Sequence, residues 1–271
     1  QPLSGGCNSA TWRTDSPDGL VFAKTADAAS EAMFQAEAAG LVALANAGGL
    51  RVPRPMACGA SENESWLLME WIERGPARPE SLRRLGEGLA IQHRVVAEEF
   101  GWDRDNTIGS TPQENARSKD WPGFVATHRL GYQVDLLEIS GLGGRLVPTA
   151  RRLIEEVPAL LAGHRPEPSL LHGDLWGGNW CCDSDGLPCI YDPAVYFGDR
   201  EADIAMTRLF GGFGSGFYAA YEEAWPLEAG HEMRADLYNL YHVLNHVNLF
   251  GAGYLAQAEA IVHRLVDRSH A

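Results

Sequence analysis

The segment that most constrains the fold of this chain runs from Leu170 to Ala194 and reads LLHGDLWGGNWCCDSDGLPCIYDPA. Asp174 precedes Asn179 by five residues, and Asp192 ends an apolar run thirteen residues beyond Asn179. Protein kinases carry a carboxylate base and two metal ligands in this order, although their loop begins His-Arg-Asp and their later aspartate precedes Phe. Taken singly, each piece is equally typical of an ordinary turn. The combination predicts a phosphoryl-transfer site.

The chemistry of such a site assigns a role to each of these side chains. Asp174 is the candidate base, and the oxygens of Asn179 and Asp192 suit Mg²⁺, which is a hard cation. His172 is expected to support the loop through hydrogen bonds rather than act as the base, because Asp174 is better placed by the motif.

A kinase-type C-terminal half requires an N-terminal lobe that holds ATP. The turn Ser4-Gly5-Gly6-Cys7-Asn8-Ser9 has small residues, and the backbone N–H groups around Gly5 and Gly6 are candidates for contact with phosphates. The turn lacks G-x-G-x-x-G spacing, and a plain β-hairpin turn would look much the same.

The segment after this turn makes an ATP-binding lobe more specific. Leu20-Val21-Phe22-Ala23-Lys24 predicts a short strand that ends in lysine, as the β3 strand of kinases does. Ser30 is predicted to cap a helix to Ala47, closed by Gly48-Gly49. Glu37 lies mid-helix, where it either pairs with Lys24 and fixes it on the phosphates or faces solvent.

A predicted strand over residues 65 to 72 leads into a second domain, at the place where adenine usually meets backbone. The Gly-Pro-Ala-Arg-Pro stretch at 75 to 79 marks the boundary. Further helices are predicted over residues 80 to 97, 121 to 139, 149 to 161, 199 to 224 and 232 to 267.

An irregular stretch from Phe100 to Asp120 separates two of these helices and carries Trp102, Asn106, Thr111, Gln113 and Asn115. Long loops inside compact domains are often functional. These side chains either form part of a substrate site or satisfy the loop's own backbone. His242 and His246 share a helix face but lack the Glu of a zinc-binding His-Glu-x-x-His motif, so both are expected to be core or pocket-wall residues.

The chain resembles the fructosamine 3-kinases, also called ketosamine 3-kinases, within the aminoglycoside-phosphotransferase-like group. The resemblance runs nearly from end to end, and it is most specific in the segment from Gly109 to Gln133 and in YDPAVYFGDRE. It implies an α+β, protein-kinase-like fold of two lobes. An antiparallel-sheet lobe with one helix would span residues 1 to 72, and a larger, mainly helical lobe would span residues 73 to 271.

The resemblance also implies roles for further residues. Lys24 and Glu37 would hold the phosphates. Asp203 would support the catalytic loop through hydrogen bonds. Trp176 would either contact the substrate or pack as a structural aromatic. The hinge contacts to adenine would come from Glu70, Trp71 and Ile72.

The activity implied by the resemblance is ATP-dependent and Mg²⁺-dependent phosphorylation of O3 of a ketosamine, either a small molecule or a protein-bound adduct of fructose or ribulose type. The 3-phosphate then decomposes to release the amine, which amounts to deglycation. Two alternatives are a phosphotransferase of the same fold acting on an aminoglycoside, choline or a similar alcohol, and a nucleotide-binding pseudoenzyme. The Gly109 to Gln133 segment argues against the former, and the retained lysine and carboxylates argue against the latter.

The net charge of −14 argues against non-specific binding to nucleic acid or to an anionic membrane. No apolar run reaches the length of about 18 residues that a membrane span needs, and no secretion signal opens the sequence. An odd count of five cysteines is typical of a reducing compartment. A cytoplasmic protein is therefore expected.

Cys7 differs from the other cysteines because it lies in the candidate phosphate loop, where nearby positive charge would lower the pKa of an exposed thiol. One hypothesis is that oxidation of Cys7 inhibits the protein, through a disulfide to a second molecule. The alternative is a small residue tolerated in a turn.

Overall fold

The computed structural model describes residues 1–3, 9–17 and 19–269. The described strands are β1 Pro2–Leu3, β2 Ala10–Ser16, β3 Gly19–Asp27, β4 Pro55–Ala60, β5 Glu64–Glu70, β6 Arg74–Gly75, β7 Asn106–Ile108, β8 Thr111–Gln113, β9 Ser169–Leu171, β10 Trp180–Asp183, β11 Pro188–Ile190 and β12 Tyr196–Gly198.

The described α-helices are α1 Glu31–Ala47, α2 Pro79–His93, α3 Trp121–Phe124, α4 Tyr132–Ser140, α5 Leu146–Leu160, α6 Glu201–Leu209, α7 Ser215–Ala224, α8 His231–Phe250 and α9 Leu255–Ser269. Short 3₁₀ segments cover Ala28–Ser30 and Ala252–Tyr254, and a π-helix covers Val125–Gly131. No helix in these described ranges combines the length and the apolar composition needed to cross a membrane.

The chain forms two compact units, each built from separate stretches of sequence. The first comprises residues 1–95, 172–195 and 212–226, and the second comprises residues 96–171, 196–211 and 227–271. The predicted lobe boundary at residue 72 stays a prediction.

The first unit contains a five-stranded antiparallel sheet in the order β1-β2-β3-β5-β4. Alternate residues of β5 are buried, as expected of a sheet with one covered face. Phe34, Leu41 and Leu44 of α1 are fully buried, which confirms that this helix face is apolar core. The unit also contains β6, β10 and β11 as a second small sheet, and helices α2 and α7 pack together.

The second unit is mainly helical: α4, α6 and α9 pack against α8, and α5 packs against α4 and α9. Trp121 anchors part of its core: the ring lies 4.8 Å from that of Phe100 and 5.6 Å from that of Phe124, and the indole N–H donates to the hydroxyl of Tyr238 at 3.1 Å. Two short antiparallel strand pairs, β7 with β8 and β9 with β12, complete this unit.

Two of the predicted helices are each interrupted in the structure. The predicted helix 199 to 224 is α6 and α7, separated at Gly211 and Gly212, which have φ of 96° and 73°. The predicted helix 232 to 267 is α8 and α9, separated at Gly251, with φ of 83°. Glycine adopts positive φ without the steric cost that other residues meet, so it ends a helix readily.

The predicted helix from Ser30 to Ala47 is confirmed as α1, but Ser30 does not cap it through its side chain. Ser30 stands at the N-cap position of α1, but its side chain makes no capping hydrogen bond. Its φ of −86° and ψ of 4° follow a 3₁₀ turn, so the chain is already coiled before α1 begins. An N-cap residue that bonds the first turn normally has extended backbone.

The polar residues of the 100 to 120 stretch turn inward. The amide oxygen of Asn106 accepts hydrogen bonds from Gln113 at 2.8 Å and from Asn115 at 2.9 Å, and all three side chains are buried. Arg129, from the π-helix, donates to the Asn115 amide oxygen at 2.8 Å, and the Tyr241 hydroxyl donates to Gln113 at 2.7 Å. These three loop residues therefore bond to one another and to the side chains of Arg129 and Tyr241.

His242 is buried, in agreement with the core position predicted for it. Burial, and then the neighbouring His246, lower the pKa of His242 to about 3, so its ring is neutral at physiological pH.

Replacing Asn115 with alanine should lower the free energy of unfolding by about 1–3 kcal/mol, because Arg129 and Asn106 would each lose a buried partner. Urea unfolding of the variant and the parent protein measures the difference. Asn63→Ala, at an exposed turn position, is the matched control and should change stability by less than about 0.5 kcal/mol. Equal stability of the two variants would contradict the supporting role of Asn115.

Candidate active site

Lys24 lies on the central strand β3, opposite Thr11 on β2 and Leu67 on β5. Its ammonium contacts the carboxylate of Glu37 on α1 at 2.7 Å and the carboxylate of Asp192 at 2.6 Å. The Lys24 side chain is only 9% exposed. The pairing of Lys24 with Glu37 that the sequence left open is therefore present, and Asp192 joins it.

The charge state of Lys24 follows from these contacts. Burial alone would lower the pKa of Lys24, but the carboxylates of Glu37 and Asp192 outweigh burial and raise it above its ordinary value. Burial raises the pKa of Glu37, while the cation of Lys24 acts in the opposite direction. The site thus keeps a permanent positive charge at the end of the Lys24 side chain.

Asn179 connects Asp174, the candidate base, to Asp192, the second metal-ligand candidate. Its amide nitrogen donates to the backbone oxygen of Asp174 at 2.8 Å and to the Asp174 carboxylate at 3.0 Å, with a longer contact of 3.5 Å to the backbone oxygen of Asp192. Asn179 precedes β10 directly, and the N–H of Tyr191 donates to its backbone oxygen at 3.0 Å. The structure therefore brings Asp174, Asn179 and Asp192 together.

His172 holds both sides of this loop. Its Nδ1 accepts the backbone N–H of Asp174 at 3.3 Å, so its Nε2 carries the proton and donates to the backbone oxygen of Tyr191 at 3.0 Å. The fully buried ring thus joins the Asp174 loop to the segment that leads into Asp192. His172 therefore holds the Asp174 loop in place through hydrogen bonds, and its buried ring has no access to solvent.

The backbone at two positions of the site is unusual. Gly173 has φ of 82°, and a Cβ atom there would lie 2.0 Å from the backbone oxygen of Ala194. Asp192 has φ of 56° and is the one non-glycine residue with positive φ in the part of the chain that the structure describes. Residues held in this region cluster at functional sites.

Trp176 projects from the loop and is 38% exposed. Its indole lies so close to Gly178 that a Cβ atom there would approach two ring carbons to 2.4 Å. Gly178 thus gives the indole its place beside the loop that carries Asp174, without deciding between the two roles predicted for Trp176.

The predicted hinge residues end and follow β5. The Glu70 carboxylate pairs with Arg51 at 2.7 Å rather than standing alone. The Trp71 indole N–H donates to Glu73 at 2.9 Å, and Ile72 is half-buried. Their backbone groups, which the prediction assigned to adenine, remain candidates.

Three predicted site residues, Gly5, Gly6 and Cys7, lie outside the described residues. Asp203 is buried in the first turn of α6, within the second compact unit. Its supporting role stays a prediction.

Sequence reasoning missed a cation close to this site. Arg51 pairs with Glu70 and also with Asp183, whose side chain is 2% exposed. The one available signal was the arginine-rich segment Arg51-Val52-Pro53-Arg54-Pro55, which carries no motif that assigns a partner.

The donor set of the site is matched to a hard cation. Asp192 offers a carboxylate that is 42% exposed, and the nitrogen of Asn179 is engaged, which leaves its amide oxygen as the ligand atom. Oxygen ligands of this kind suit Mg²⁺. A carboxylate base, an amide that orients it and a fixed cation together suit transfer of a phosphoryl group to a hydroxyl.

The comparison with known proteins agrees with this geometry. The family model described as Fructosamine kinase matches residues 1–268. The chain belongs to the fructosamine kinase family. The predicted resemblance is therefore confirmed, and so is the assignment to the kinases.

Individual relatives agree along nearly the whole chain. A chloroplastic protein-ribulosamine 3-kinase of Oryza sativa subsp. indica is 43% identical over 265 residues, covering 96% of this chain and 76% of the relative. A crystal structure described as a fructosamine-3-kinase candidate from Haemophilus somnus 129PT superimposes with a TM-score of 0.91 at 30% identity, covering 98% of this chain and 90% of that one.

A more distant structure shows the fold alone. An aminoglycoside phosphotransferase in a ternary complex with AMP-PNP and hygromycin B has a TM-score of 0.66 at 17% identity, covering 100% of this chain and 93% of that one. The predicted protein-kinase-like α+β fold is thereby confirmed.

Gly173→Ala should lower the free energy of unfolding by about 1–3 kcal/mol, because alanine is strained at this φ and its Cβ would meet the Ala194 carbonyl. Thermal and urea unfolding give the difference. Gly177→Ala is the control in the same loop, since a Cβ atom there meets nothing within 4 Å. A Gly173 variant as stable as the Gly177 variant would show that the loop relaxes freely.

Proposed function

We propose that this member of the fructosamine kinase family transfers the γ-phosphoryl group of ATP to O3 of a ketosamine. The observation that carries the proposal is the amide of Asn179, which bonds the Asp174 carboxylate and reaches the backbone of Asp192. One side chain thus joins the candidate base to a candidate metal ligand. The acceptor and its position come from the family and from the relatives named as 3-kinases.

In this proposal, Asp174 accepts the proton of the sugar hydroxyl as the oxygen attacks phosphorus. The hydrogen bond from Asn179 at 3.0 Å orients one carboxylate oxygen and leaves the other to face the acceptor. Because His172 accepts a hydrogen bond from the backbone N–H of Asp174, the loop is positioned before the substrate binds.

Lys24 would hold the phosphates of the nucleotide, and Glu37 would keep the ammonium in place. The short contacts of 2.7 Å to Glu37 and 2.6 Å to Asp192 support this assignment. Phosphate oxygens replace the Asp192 carboxylate as a partner of the ammonium, so its charge stays compensated throughout. Adenine would contact the backbone of Glu70, Trp71 and Ile72, and the phosphates would contact the turn at Gly5 and Gly6.

Mg²⁺, when bound, would neutralise charge on the phosphoryl oxygens. Asn179 and Asp192 are the residues proposed to hold it. Asp192 is exposed enough to exchange its contact with Lys24 for a metal ion, while Asn179 is held rigidly by its bonds to Asp174.

The acceptor side is proposed to include Trp176, whose exposed indole projects from the same loop as Asp174. A net charge of −14 favours a cationic amine adduct, either free or protein-bound, over a polyanion. Release of the amine after 3-phosphorylation makes the implied role deglycation. The proposed compartment is the cytoplasm, and the proposed lobes are residues 1–72 and 73–271, with Asp203 supporting the catalytic loop.

A redox-dependent dimer through Cys7 also remains a proposal. Equal activity in oxidant and in reductant would overturn it. The described free cysteines are Cys58, Cys181, Cys182 and Cys189, and among them only Cys58 is exposed.

The test of the proposed function is a panel of acceptors. Purified protein is incubated with MgATP and, in separate reactions, a fructosyl-amine, a ribulosyl-amine, an aminoglycoside and choline. ADP release is followed, and the phosphate is located by NMR. We expect phosphate on O3 of a ketosamine. Turnover with another acceptor alone would move the function to another phosphotransferase, and no turnover with any of the four would favour a pseudoenzyme.

Asp174→Asn should reduce turnover by at least about a hundredfold, because it removes the proton acceptor and leaves the Lys24 cluster intact. The dissociation constant for MgADP, measured by calorimetry, should remain within about twofold of the parent value, which corresponds to less than about 0.5 kcal/mol. Asp185→Asn, at an exposed carboxylate in the turn after β10, is the control and should keep full turnover. A variant of Asp174 that turns over normally would show that another group is the base.

A further inference from the structure

The hairpin formed by β10 and β11 carries both candidate metal ligands at its open end. Asn179 comes immediately before β10, and Asp192 follows β11 by two residues. The strands pair with Trp180 opposite Ile190 and Cys181 opposite Cys189, and Tyr191 donates to the backbone of Asn179 at 3.0 Å. The placement of this hairpin therefore sets the placement of the metal ligands.

Arg51 makes a hydrogen bond to each strand of the hairpin. Its guanidinium donates to Asp183, the last residue of β10, at 2.5 Å. Its backbone oxygen accepts the N–H of Ile190, the last residue of β11, at 3.0 Å. One residue of the segment between α1 and β4 thus contacts both strands of the hairpin, β10 at its turn end and β11 near Asp192.

The other arm of the same guanidinium reaches the nucleotide side of the site. It donates to Glu70 at 2.7 Å, and Glu70 ends β5. Strand β5 pairs with β3, where Val21 lies opposite Glu70 and Lys24 lies opposite Leu67. Arg51 therefore ties the strand next to that of Lys24 to the hairpin that carries the metal ligands.

The Asp183 end of this contact is built into the hairpin turn. One oxygen of the buried Asp183 carboxylate accepts the backbone N–H groups of Asp185 and Leu187, and the other accepts Arg51. Burial would raise the pKa of Asp183, but these hydrogen bonds hold it below its ordinary value, so the group stays ionised. A buried anion strongly favours keeping its cationic partner.

We propose that Arg51 is a positioning residue, which fixes the distance between Lys24 and the metal ligands by bridging Glu70 and Asp183. The inference rests on the proposed roles of Asn179 and Asp192 in metal binding. Arginine is suited to the task because its planar fork donates to two carboxylates at once, whereas a lysine ammonium is a single point charge.

The test measures binding of MgADP and of Mg²⁺ at fixed ADP, by calorimetry, in Arg51→Met, Arg51→Lys and the parent. Loss of a group that bonds a metal ligand directly typically costs about 10- to 100-fold in affinity. Arg51 acts through the hairpin instead, so we expect Arg51→Met to weaken the Mg²⁺-dependent part of ADP binding at the lower end of that range, about tenfold. Binding of ADP without metal should change less than about twofold, and Arg51→Lys should recover part of the loss.

Arg151→Met is the matched control. Arg151 also bridges two carboxylates, those of Asp135 and Glu138, at 2.5 Å and 2.6 Å. Its side chain is 41% exposed, against 38% for Arg51, but it joins α5 to α4 in the second unit. Its variant should bind MgADP as the parent does.

Two results would overturn the proposal. One is a folded Arg51→Met variant that melts at a lower temperature yet binds MgADP as tightly as the parent, because Arg51 would then only stabilise the fold. The second applies if Arg51→Met does not fold. In that case, an Arg51→Lys variant whose ADP binding depends on Mg²⁺ as strongly as that of the parent would overturn the proposal. The readout is nucleotide binding, so failure to phosphorylate a ketosamine would count against the proposed function without altering this result.

Discussion

A single buried cation organises the candidate active site. The Lys24 ammonium can remain charged in its position only because Glu37 and Asp192 compensate it, and these two carboxylates come from a helix and from a loop far along the chain. Helix α1, strand β3 and the segment after β11 are therefore constrained to meet at one point. Because the apolar face of α1 is buried at Phe34, Leu41 and Leu44, hydrophobic packing and charge compensation fix the same helix.

Hydrogen bonds from two side chains to the backbone also hold the loops of the site together. His172 and Asn179 each join the Asp174 loop to the Asp192 segment, one through a buried imidazole and the other through an amide. Neither side chain carries a charge, so neither competes with Lys24 for the carboxylates. The geometry of the site therefore depends on neutral hydrogen bonds as well as on the ion pairs of Lys24.

Much of this site could be predicted because its signals are local. Asp174 and Asn179 lie five residues apart on one loop, and the apolar run before Lys24 indicates the strand that carries it, although β3 continues to Asp27. The helix breaks at Gly211 and Gly251 could not be predicted with equal ease, since glycine is tolerated inside a helix and only the tertiary fold decides whether φ becomes positive. The inward direction of Asn106, Gln113 and Asn115 depends on Arg129 and Tyr241, which the loop sequence does not contain.

The bridge made by Arg51 shows the same limit at longer range. Arg51 and Asp183 are 132 positions apart, and no periodicity or motif relates them. Glu70 was predicted as a hinge residue from the family resemblance, but the pairing of its carboxylate with Arg51 depends on three segments folding together. A sequence motif identifies residues that a reaction requires in a fixed order. Partners that meet only because the chain folds are identified from the structure.

The left-handed backbone of Asp192 restricts which residues this position can accept. Asp and Asn are the non-glycine residues that visit this region most readily, and glutamate or a β-branched residue would pay a larger steric cost. Asparagine would keep the backbone but remove the charge that Lys24 pairs with, and glutamate would keep the charge but disfavour the backbone. The conformation and the charge therefore select aspartate independently, so substitution here is doubly constrained even before a nucleotide or a metal ion is considered.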